Sequence, residues 1–163
     1  MAQLDLPYFR QDTIYSCGPA VAQMVLRHFG VVYSEAELIT VLGTNPQIGT
    51  KHDALIELLT GAGLHCYANN DSSLDEVDSY LEQRAPVIVH YLEPSNDEGH
   101  FAVVTAVLER LVMLHDPWNG EGFSLPHDEF EARWRSEDAR HVRWMAACSD
   151  EPFALGRTYR PRV

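Results

Sequence analysis

The sequence predicts an α+β fold in which an N-terminal helical lobe packs against an antiparallel β-sheet. Two observations support this prediction. Amphipathic segments with helix-start signals fill the first half of the chain, whereas valine-rich stretches of strand length dominate the second half. No repeat, low-complexity tract or flexible linker divides the 163 residues. We therefore expect a single domain over 1–163, with its core at about 4–148 and a peripheral tail from Gly156.

The first half begins with a predicted short strand at 4–9, followed by a helix that starts near Cys17 and ends at Gly30. A serine or threonine followed three residues later by an acidic residue is typical of a helix start, because the side chain can cap free backbone N–H groups. Three further helices are predicted from such pairs: Ser34 and Glu37, Thr50 and Asp53, and Ser73 and Glu76.

Most strands are predicted after Pro86, where β-branched residues become frequent. The predicted strands are 64–68, 87–91, 101–108, 111–115 and 142–148, and one more helix is predicted at 125–135. The tight connection near 109–110 predicts an antiparallel hairpin between the strands on either side of it.

The charge balance argues against two classes of partner. Acidic residues outnumber basic residues 24 to 12, which gives a formal net charge of -12. Such a surface repels nucleic acid phosphates and anionic lipid headgroups, so we expect neither as a partner. The first residues lack the features of a secretory signal, and no apolar run approaches the roughly 18 residues of a membrane span. A cytoplasmic location is therefore expected.

The three cysteines are too few and too scattered for a disulfide framework. Cys66 and Cys148 each lie in an apolar stretch predicted as a strand, and we interpret them as buried packing residues. A bridge between these two remains open. Cys17 differs from both, because it follows a polar segment and stands at the start of the first predicted helix.

Cys17 has the sequence context of a reactive thiol. The positive end of a helix dipole favours the thiolate, which is the nucleophilic form of cysteine. Pro19 fits the first turn because its missing N–H would have no intrahelical partner there. Gly18 is expected to leave room beside the sulfur for a substrate carbonyl. A buried cap-region cysteine without chemistry is the alternative.

Attack of a thiolate on an amide also needs hydrogen-bond donors for the oxyanion that forms. The backbone N–H of Cys17 is one candidate, because first-turn amides lack helical partners. The side-chain amide of Gln11, six residues upstream, is the second candidate. The alternative is that Gln11 is an ordinary exposed loop residue.

His100 is the best candidate for the base among the eight histidines. It follows a polar loop that ends at Gly99, and it precedes the apolar strand at 101–108. This context predicts a rigidly held imidazole at the mouth of a cleft. An exposed histidine at a strand start is the alternative.

Asp116 is the candidate for orienting His100. In the predicted hairpin, paired residue numbers sum to about 217–219, so His100 lies opposite roughly 117–119 and Asp116 is within about one residue of that register. Opposed Cβ atoms lie about 4.5–5.5 Å apart, close enough for the carboxylate to bind the imidazole and select the tautomer that faces Cys17. Asp116 and Pro117 also suit a strand-ending turn, and both roles are compatible.

These residues carry a family resemblance over about 4–148. The motifs are Gln11 followed by Cys17-Gly18-Pro19-Ala20, then Gly99-His100-Phe101-Ala102-Val103-Val104, then Asp116-Pro117. With them the chain resembles the bacteriocin-processing (double-glycine leader) peptidase domains and their stand-alone relatives among the papain-like cysteine peptidases. The resemblance implies a papain-like fold, a cysteine–histidine–aspartate triad and Gln11 in the oxyanion hole. Members fused to exporters cut after paired glycines in leader peptides.

Three functions remain open from the sequence. The first is a thiol hydrolase that cleaves a peptide or small peptide-like amide through a covalent acyl-Cys17 intermediate. The second is an acyltransferase with the same chemistry, in which an amine replaces water. The third is a catalytically silent peptide-binding module, against which the intact Cys17, His100 and Asp116 argue. The remaining histidines lack the spacing of a closed zinc site, so neither a metal nor another cofactor is expected. The sequence does not predict an oligomeric state.

Overall fold

The computed structural model describes residues 2–153, which fold into five helices and a six-stranded antiparallel sheet. The helices are α1 Cys17–His28, α2 Glu35–Leu42, α3 His52–Gly61, α4 Leu74–Glu82 and α5 His127–Arg133. The strands are β1 His65–Asn69, β2 Val87–Leu92, β3 Gly99–Val107, β4 Leu111–Asp116, β5 Gly120–Pro126 and β6 Met145–Ser149. The predicted α+β class is confirmed. The tail predicted from Gly156 lies outside the described residues.

The sheet has the strand order β1-β6-β2-β3-β4-β5, and every neighbouring pair runs antiparallel. Strands β2 to β5 form a meander, while β6 returns from the end of the described chain to lie between β1 and β2. This arrangement places the start of β3 and the end of β4 at the same edge of the central hairpin. The two predicted site residues on those strands are therefore brought together by the sheet itself.

Alternating side chains give each face of the sheet its own hydrophobic core. Ile88 of β2 and Val103 of β3 pack with α1, α2 and α3 on one face. Val87 and Val89 of β2 pack with α4 and α5 on the other face. Because the sheet is covered on both sides, its central strands are almost continuously buried, which explains their near-unbroken runs of apolar residues.

The register predicted for the β3–β4 hairpin is confirmed. Val103 pairs with His115 near the open end, and Val107 pairs with Val112 near the turn. A register shift between Val104 and Ala106 moves the pairing by one residue, within the predicted interval.

The predicted strand at 4–9 is wrong. Only Gln3 forms an isolated bridge, with Ala106, and the Leu4 N–H donates to the Thr105 carbonyl at 2.8 Å. Pro7 has no N–H to continue a ladder, so the segment instead buries the side chains of Leu4 and Leu6 without strand pairing.

The helix starts were predicted with mixed success. Ser34 and Glu37 form the predicted capping box at α2, and the Ser73 side chain accepts from the Glu76 N–H at α4. The cap predicted at Thr50 is wrong, because α3 begins at His52 and the Thr50 hydroxyl instead hydrogen-bonds that of Thr44 at 2.7 Å.

No helix among residues 2–153 is long and apolar enough to cross a bilayer.

Two elements near the end of the described chain differ from the prediction. Strand β5 was not predicted as a strand, and its last residues were assigned to the helix that begins only at His127. The last strand starts at Met145 instead of Val142, because Arg143 has a φ of 50°, which interrupts an extended conformation.

Candidate active site

Cys17 is the first residue of α1 and lies partly exposed at its N-terminus. The Ser16 hydroxyl does not cap the helix; it accepts hydrogen bonds from the backbone N–H and the hydroxyl of Thr13 instead. The first intrahelical bond runs from the Ala20 N–H to the Ser16 carbonyl, at 3.1 Å. The N–H groups ahead of Ala20, including that of Cys17, therefore have no partner within the helix.

Gly18 permits a close approach between α1 and the segment before α3. A Cβ at this position would lie 2.3 Å from the Thr50 Oγ1 and 2.5 Å from its Cβ, so no larger residue fits without a shift. The prediction that Gly18 leaves room for a substrate carbonyl is therefore wrong, because Thr50 fills the space that a side chain would occupy. The absence of a side chain at Gly18 instead allows α1 to pack closely against the segment that precedes α3.

His100 lies at the start of β3 with 5% of its surface exposed, and its imidazole lowers the pKa of the Cys17 thiol. The backbone N–H of Phe101 lowers the pKa of the same thiol. The first helix and the central hairpin therefore meet where Cys17 lies beside His100.

Asp116 ends β4 and is fully buried beside His100. Its Oδ1 lies 2.7 Å from the His100 Nε2 and accepts from the backbone N–H groups of Trp118 and Asn119, each at 2.8 Å. Because Nε2 is engaged by the carboxylate, Nδ1 is the imidazole nitrogen left to face Cys17.

Tyr91 is a site residue that the sequence did not reveal. It lies directly opposite His100 in the β2–β3 register, and its hydroxyl donates to the Asp116 Oδ2. Burial and the nearby carboxylate of Asp116 raise the Tyr91 pKa, so the hydroxyl remains a donor. The predicted strand at 87–91 contains Tyr91, but its pairing with the start of β3 is a long-range contact without a local signal.

The titratable groups of the site favour a thiolate–imidazolium pair. Burial alone would raise the pKa of Cys17, but the charge of His100 and two hydrogen bonds outweigh it and lower that pKa. Burial likewise opposes the charged form of His100, while Cys17 and Asp116 raise its pKa to about 10. The pKa of Asp116 is lowered against its burial, mainly by hydrogen bonding and attraction to His100. Each charge stabilises the next.

Gln11 lies beside this cluster with most of its side chain buried. Its backbone N–H donates to the Pro117 carbonyl, at 3.1 Å, so the loop before α1 is tied to the turn after β4. Its Nε2 donates one hydrogen to the Thr13 carbonyl, at 2.7 Å, and the second hydrogen of this amide remains for another acceptor. The Gln11 Oε1 is buried without a hydrogen-bond partner among the described residues. The alternative of an exposed loop glutamine is thus excluded.

Glu35 is a second residue that the sequence did not reveal. It is the first residue of α2, only 6% exposed, and its Oε2 accepts from the Asp12 N–H at 2.9 Å. Burial and the neighbouring Asp12 side chain raise the Glu35 pKa to about 7, against hydrogen bonds that lower it. The carboxyl therefore anchors the loop between Gln11 and Cys17 from the helical lobe. An acidic residue at a helix start suggests only capping, which is why sequence reasoning overlooked it.

Cys66 and Cys148 lie opposite each other on β1 and β6, and both are free thiols. Over the described part of the chain, no three or more His, Cys, Asp or Glu side chains are grouped to hold a metal ion. The side chains that the fold brings together at the candidate site are those of Cys17, His100 and Asp116.

Sequence comparison finds relatives in two Methanothermobacter species. An uncharacterised protein of Methanothermobacter marburgensis is 36% identical over 111 residues, which is 68% of this chain and 71% of the relative. A second, from Methanothermobacter thermautotrophicus, is 36% identical over 107 residues, or 66% of this chain and 68% of the relative.

Solved structures of peptidase domains share the fold. The peptidase domain of Streptococcus ComA, a bifunctional ABC transporter of a quorum-sensing pathway, has a TM-score of 0.72 at 22% identity, covering 88% of this chain and 98% of that domain. A double-glycine-motif protease from an AMS/PCAT transporter, bound to a leader peptide, has a TM-score of 0.72 at 16% identity, covering 90% and 93%. A C39-like protein of Bacillus anthracis gives 0.75 at 14% identity, covering 92% and 98%. A model of the peptidase C39 family matches residues 5–137, and the chain therefore belongs to that family.

Proposed function

We propose that this protein is a cysteine peptidase that cleaves a peptide or small peptide-like amide through a covalent acyl-Cys17 intermediate. One observation carries the proposal: the imidazole of His100, which lowers the pKa of the Cys17 thiol, has its Nε2 2.7 Å from the buried Asp116 carboxylate. A nucleophile, a base and a group that orients the base are the three parts that nucleophilic catalysis requires.

In the first step, the Cys17 thiolate attacks the carbonyl carbon of the substrate and the carbonyl oxygen becomes an oxyanion. The Cys17 N–H and the second hydrogen of the Gln11 Nε2 are the proposed donors to this oxyanion. The C–N bond then breaks, and the His100 imidazolium gives its proton to the departing amine. The acyl group remains on sulfur as a thioester.

In the second step, His100 removes a proton from water, which attacks the thioester carbonyl. The C–S bond breaks, the carboxylic acid leaves and the thiolate is restored. Asp116 holds the imidazole in the same orientation through both steps, because Oδ1 is itself fixed by the backbone N–H groups of Trp118 and Asn119.

The comparisons with known proteins also favour a peptide substrate. Membership of the peptidase C39 family favours peptide bond cleavage, and a structural neighbour binds a leader peptide. The shared fold supports a comparable cleft here, while the low identity to that neighbour leaves the substrate sequence to experiment.

The test is digestion of a proteome-derived peptide library, with new N-termini identified by mass spectrometry. We expect the wild-type protein to generate cleavages that Cys17→Ala and His100→Ala do not, since each variant lacks one reacting group. Circular dichroism of each variant checks that the fold is retained. Equal cleavage by wild type and Cys17→Ala would contradict the proposal.

The same digestion separates hydrolysis from acyl transfer. With glycinamide added, a hydrolase releases mainly free carboxylates, whereas a transferase produces peptides extended by the added amine. A silent binding module would retain peptides without cutting them, and the wild-type and Cys17→Ala digests would then be identical.

A further inference from the structure

A cleft of about 430 Å³ opens at the N-terminus of α3, outside the contacts described above. It is formed by three segments: the start of α3, the end of β1 and the stretch before β6. The lining residues are Lys51, His52, Asp53, Asn69, Asn70, Arg140, His141 and Trp144. The proposed mechanism uses none of them.

The cleft is close to the candidate nucleophile because both share Phe101. The Phe101 backbone N–H lowers the pKa of Cys17, while the Phe101 ring lies 4.8 Å from the His52 ring and 5.9 Å from the Trp144 ring, centroid to centroid. Thr50 packs against Gly18 immediately before Lys51. Phe101 and the Gly18–Thr50 contact therefore connect the lining of the cleft to the residues beside Cys17.

The lining contains several hydrogen-bond donors. Lys51 and Arg140 are cationic, and the two asparagines and Trp144 add amide and indole N–H groups. The one carboxylate in the lining, that of Asp53, already accepts from the Ala54 N–H at 2.9 Å. Lys51, the only lysine in the sequence, forms no ion pair with residues 2–153.

Two of the lining residues also have buried polar atoms without partners. The Nε2 of His52 and the side-chain oxygen of Asn70 are buried, and neither has a hydrogen-bond partner within residues 2–153. Such atoms are costly to leave unsatisfied, so a polar ligand that reached them would be stabilised. In one tautomer His52 presents an N–H there, and the Asn70 amide can rotate to present its NH2 group.

The imidazoles in and beside the cleft are neutral, so they can donate hydrogen bonds but add no positive charge. His141 stacks on His52 with ring centroids 3.7 Å apart, and His90 lies 4.6 Å from His52. Burial, reinforced by the neighbouring histidines, lowers the pKa of His52 to about 2 and that of His90 to about 3. The formal positive charge of the lining therefore comes from Lys51 and Arg140, and Arg140 is already paired with Asp138 at 3.4 Å.

We propose that this cleft is a substrate subsite for a carboxylate, with Lys51 as its charged ligand and His52 and Trp144 as neutral donors. The carboxylate belongs either to an aspartate or glutamate side chain near the scissile bond or to the C-terminus of a short peptide. The assignment as a substrate subsite rests on the proposed function, whereas binding of a carboxylate does not.

The binding test uses the Cys17→Ala protein and three small probes, with the His52, His141 and Trp144 side-chain resonances followed by NMR. N-acetylglutamic acid amide carries a side-chain carboxylate, N-acetylglycine carries a C-terminal carboxylate, and N-acetylglutamine amide is the neutral control. We expect at least one acidic probe to bind about tenfold more tightly than the neutral one, as a charge-assisted hydrogen bond allows. The tighter acidic probe identifies the source of the carboxylate.

The matched variants are Lys51→Met and Arg110→Met, since Arg110 is an exposed cation in the β3–β4 turn. Lys51→Met should remove most of the preference for the acidic probe, and Arg110→Met should leave it unchanged. Equal binding of acidic and neutral probes, an unaltered preference in Lys51→Met, or shifts that spare His52 would each overturn the proposal.

A kinetic test separates this proposal from the proposed function. Peptidyl vinyl sulfones with glutamate, glutamine or lysine next to the reactive group are compared for the rate at which they inactivate the wild-type protein. Faster inactivation by the glutamate compound, reduced by Lys51→Met, supports the subsite. Rapid inactivation at Cys17 without a preference overturns the subsite and leaves the peptidase intact. No inactivation, together with carboxylate binding to Cys17→Ala, contradicts the peptidase and retains the carboxylate site.

Discussion

Asp116 accepts hydrogen bonds from His100, from Tyr91 and from two backbone N–H groups, while none of its surface is exposed. A buried carboxylate without partners would be strongly destabilising, so this set of donors is what keeps it ionised. Its charge in turn favours the imidazolium form of His100. The thiolate–imidazolium pair therefore persists over a pH interval that opens at the lowered Cys17 pKa and closes at the raised His100 pKa.

Asp116→Asn should lower the upper limit of the pH interval over which the thiolate–imidazolium pair persists. Loss of the carboxylate removes an attraction and a hydrogen bond that raise the His100 pKa, so His100 deprotonates at lower pH than in the wild type, whose pKa is about 10. We expect the alkaline limb of the cleavage rate to move to lower pH, and the maximal rate to fall by at least about 100-fold. The measurement is the pH profile of cleavage of a peptide selected from the library digest.

Tyr91→Phe is the matched control, since it removes one neutral donor from Asp116 but keeps the charge. A single neutral hydrogen bond contributes about 1 kcal/mol, so the rate should change by less than about tenfold and the alkaline limb should stay in place. If both variants shifted the limb equally, the charge of Asp116 would not be its cause.

The loop between Gln11 and Cys17 is held by the first residue of α2, so the geometry of the two proposed oxyanion donors depends on a neighbouring element. Glu35 accepts from the Asp12 N–H, and its pKa is raised to about 7 by burial and by the Asp12 side chain. A raised pKa means that the folded state favours the protonated form. The resulting stabilisation is complete below the ordinary glutamate pKa of 4.5 and is lost as the pH rises through about 7.

Glu35→Gln should therefore remove a pH dependence of folding. Glutamine resembles the protonated carboxyl, so the free energy of unfolding of the variant should gain on that of the wild type as the pH rises from about 4.5 to about 7. Urea unfolding at several pH values measures this difference. Glu57→Gln, at an exposed position of α3, controls for the loss of one negative charge. A constant difference between Glu35→Gln and wild type would show that Glu35 does not titrate in this interval.

Elements defined by local signals were predictable from the sequence, whereas elements defined by distant contacts were not. The pairs Ser34–Glu37 and Ser73–Glu76 contain their own caps, and both helices begin where predicted. The Thr50 hydroxyl has the same spacing to Asp53, but a partner six residues away in sequence, Thr44, engages it. Strand β5 lies at the sheet edge with most residues partly or fully exposed, so it lacks the buried pattern of a central strand.

The same distinction between local signals and distant contacts applies to the residues of the candidate site. The approach of His100 to Asp116 could be predicted, because the position of the turn sets the pairing register of the two strands that it joins. The position of Gln11 depends on hydrogen bonds to Thr13 and Pro117, which connect segments with no regular periodicity. Tyr91 reaches the site through sheet order, and no spacing within the sequence encodes which strand lies beside β3.

At the scale of the whole molecule, the sheet separates two cores and buries its thiols in one of them. Cys66 and Cys148 belong to the core shared with α1, α2 and α3, at 3% and 0% exposure. A hydrogen bond with Cys66, together with burial, raises the pKa of Cys148. Cys17 belongs to the edge of the same core but is partly exposed, with its pKa lowered. One fold thus holds a partly exposed thiol with a lowered pKa and two buried thiols.

This contrast predicts how the three thiols respond to iodoacetamide. Cys17 should react in the folded protein, at a rate that rises through a pH below the roughly 8.5 of a free thiol. Cys66 and Cys148 should react only when the sheet opens, because they face each other on β1 and β6. In Cys17→Ala their labelling rates should be equal and should rise with urea as the population of the unfolded state does. Rapid labelling of either in the folded protein would mean that β1 separates from β6 without global unfolding, and the helical lobe and the sheet would then not unfold as one cooperative unit.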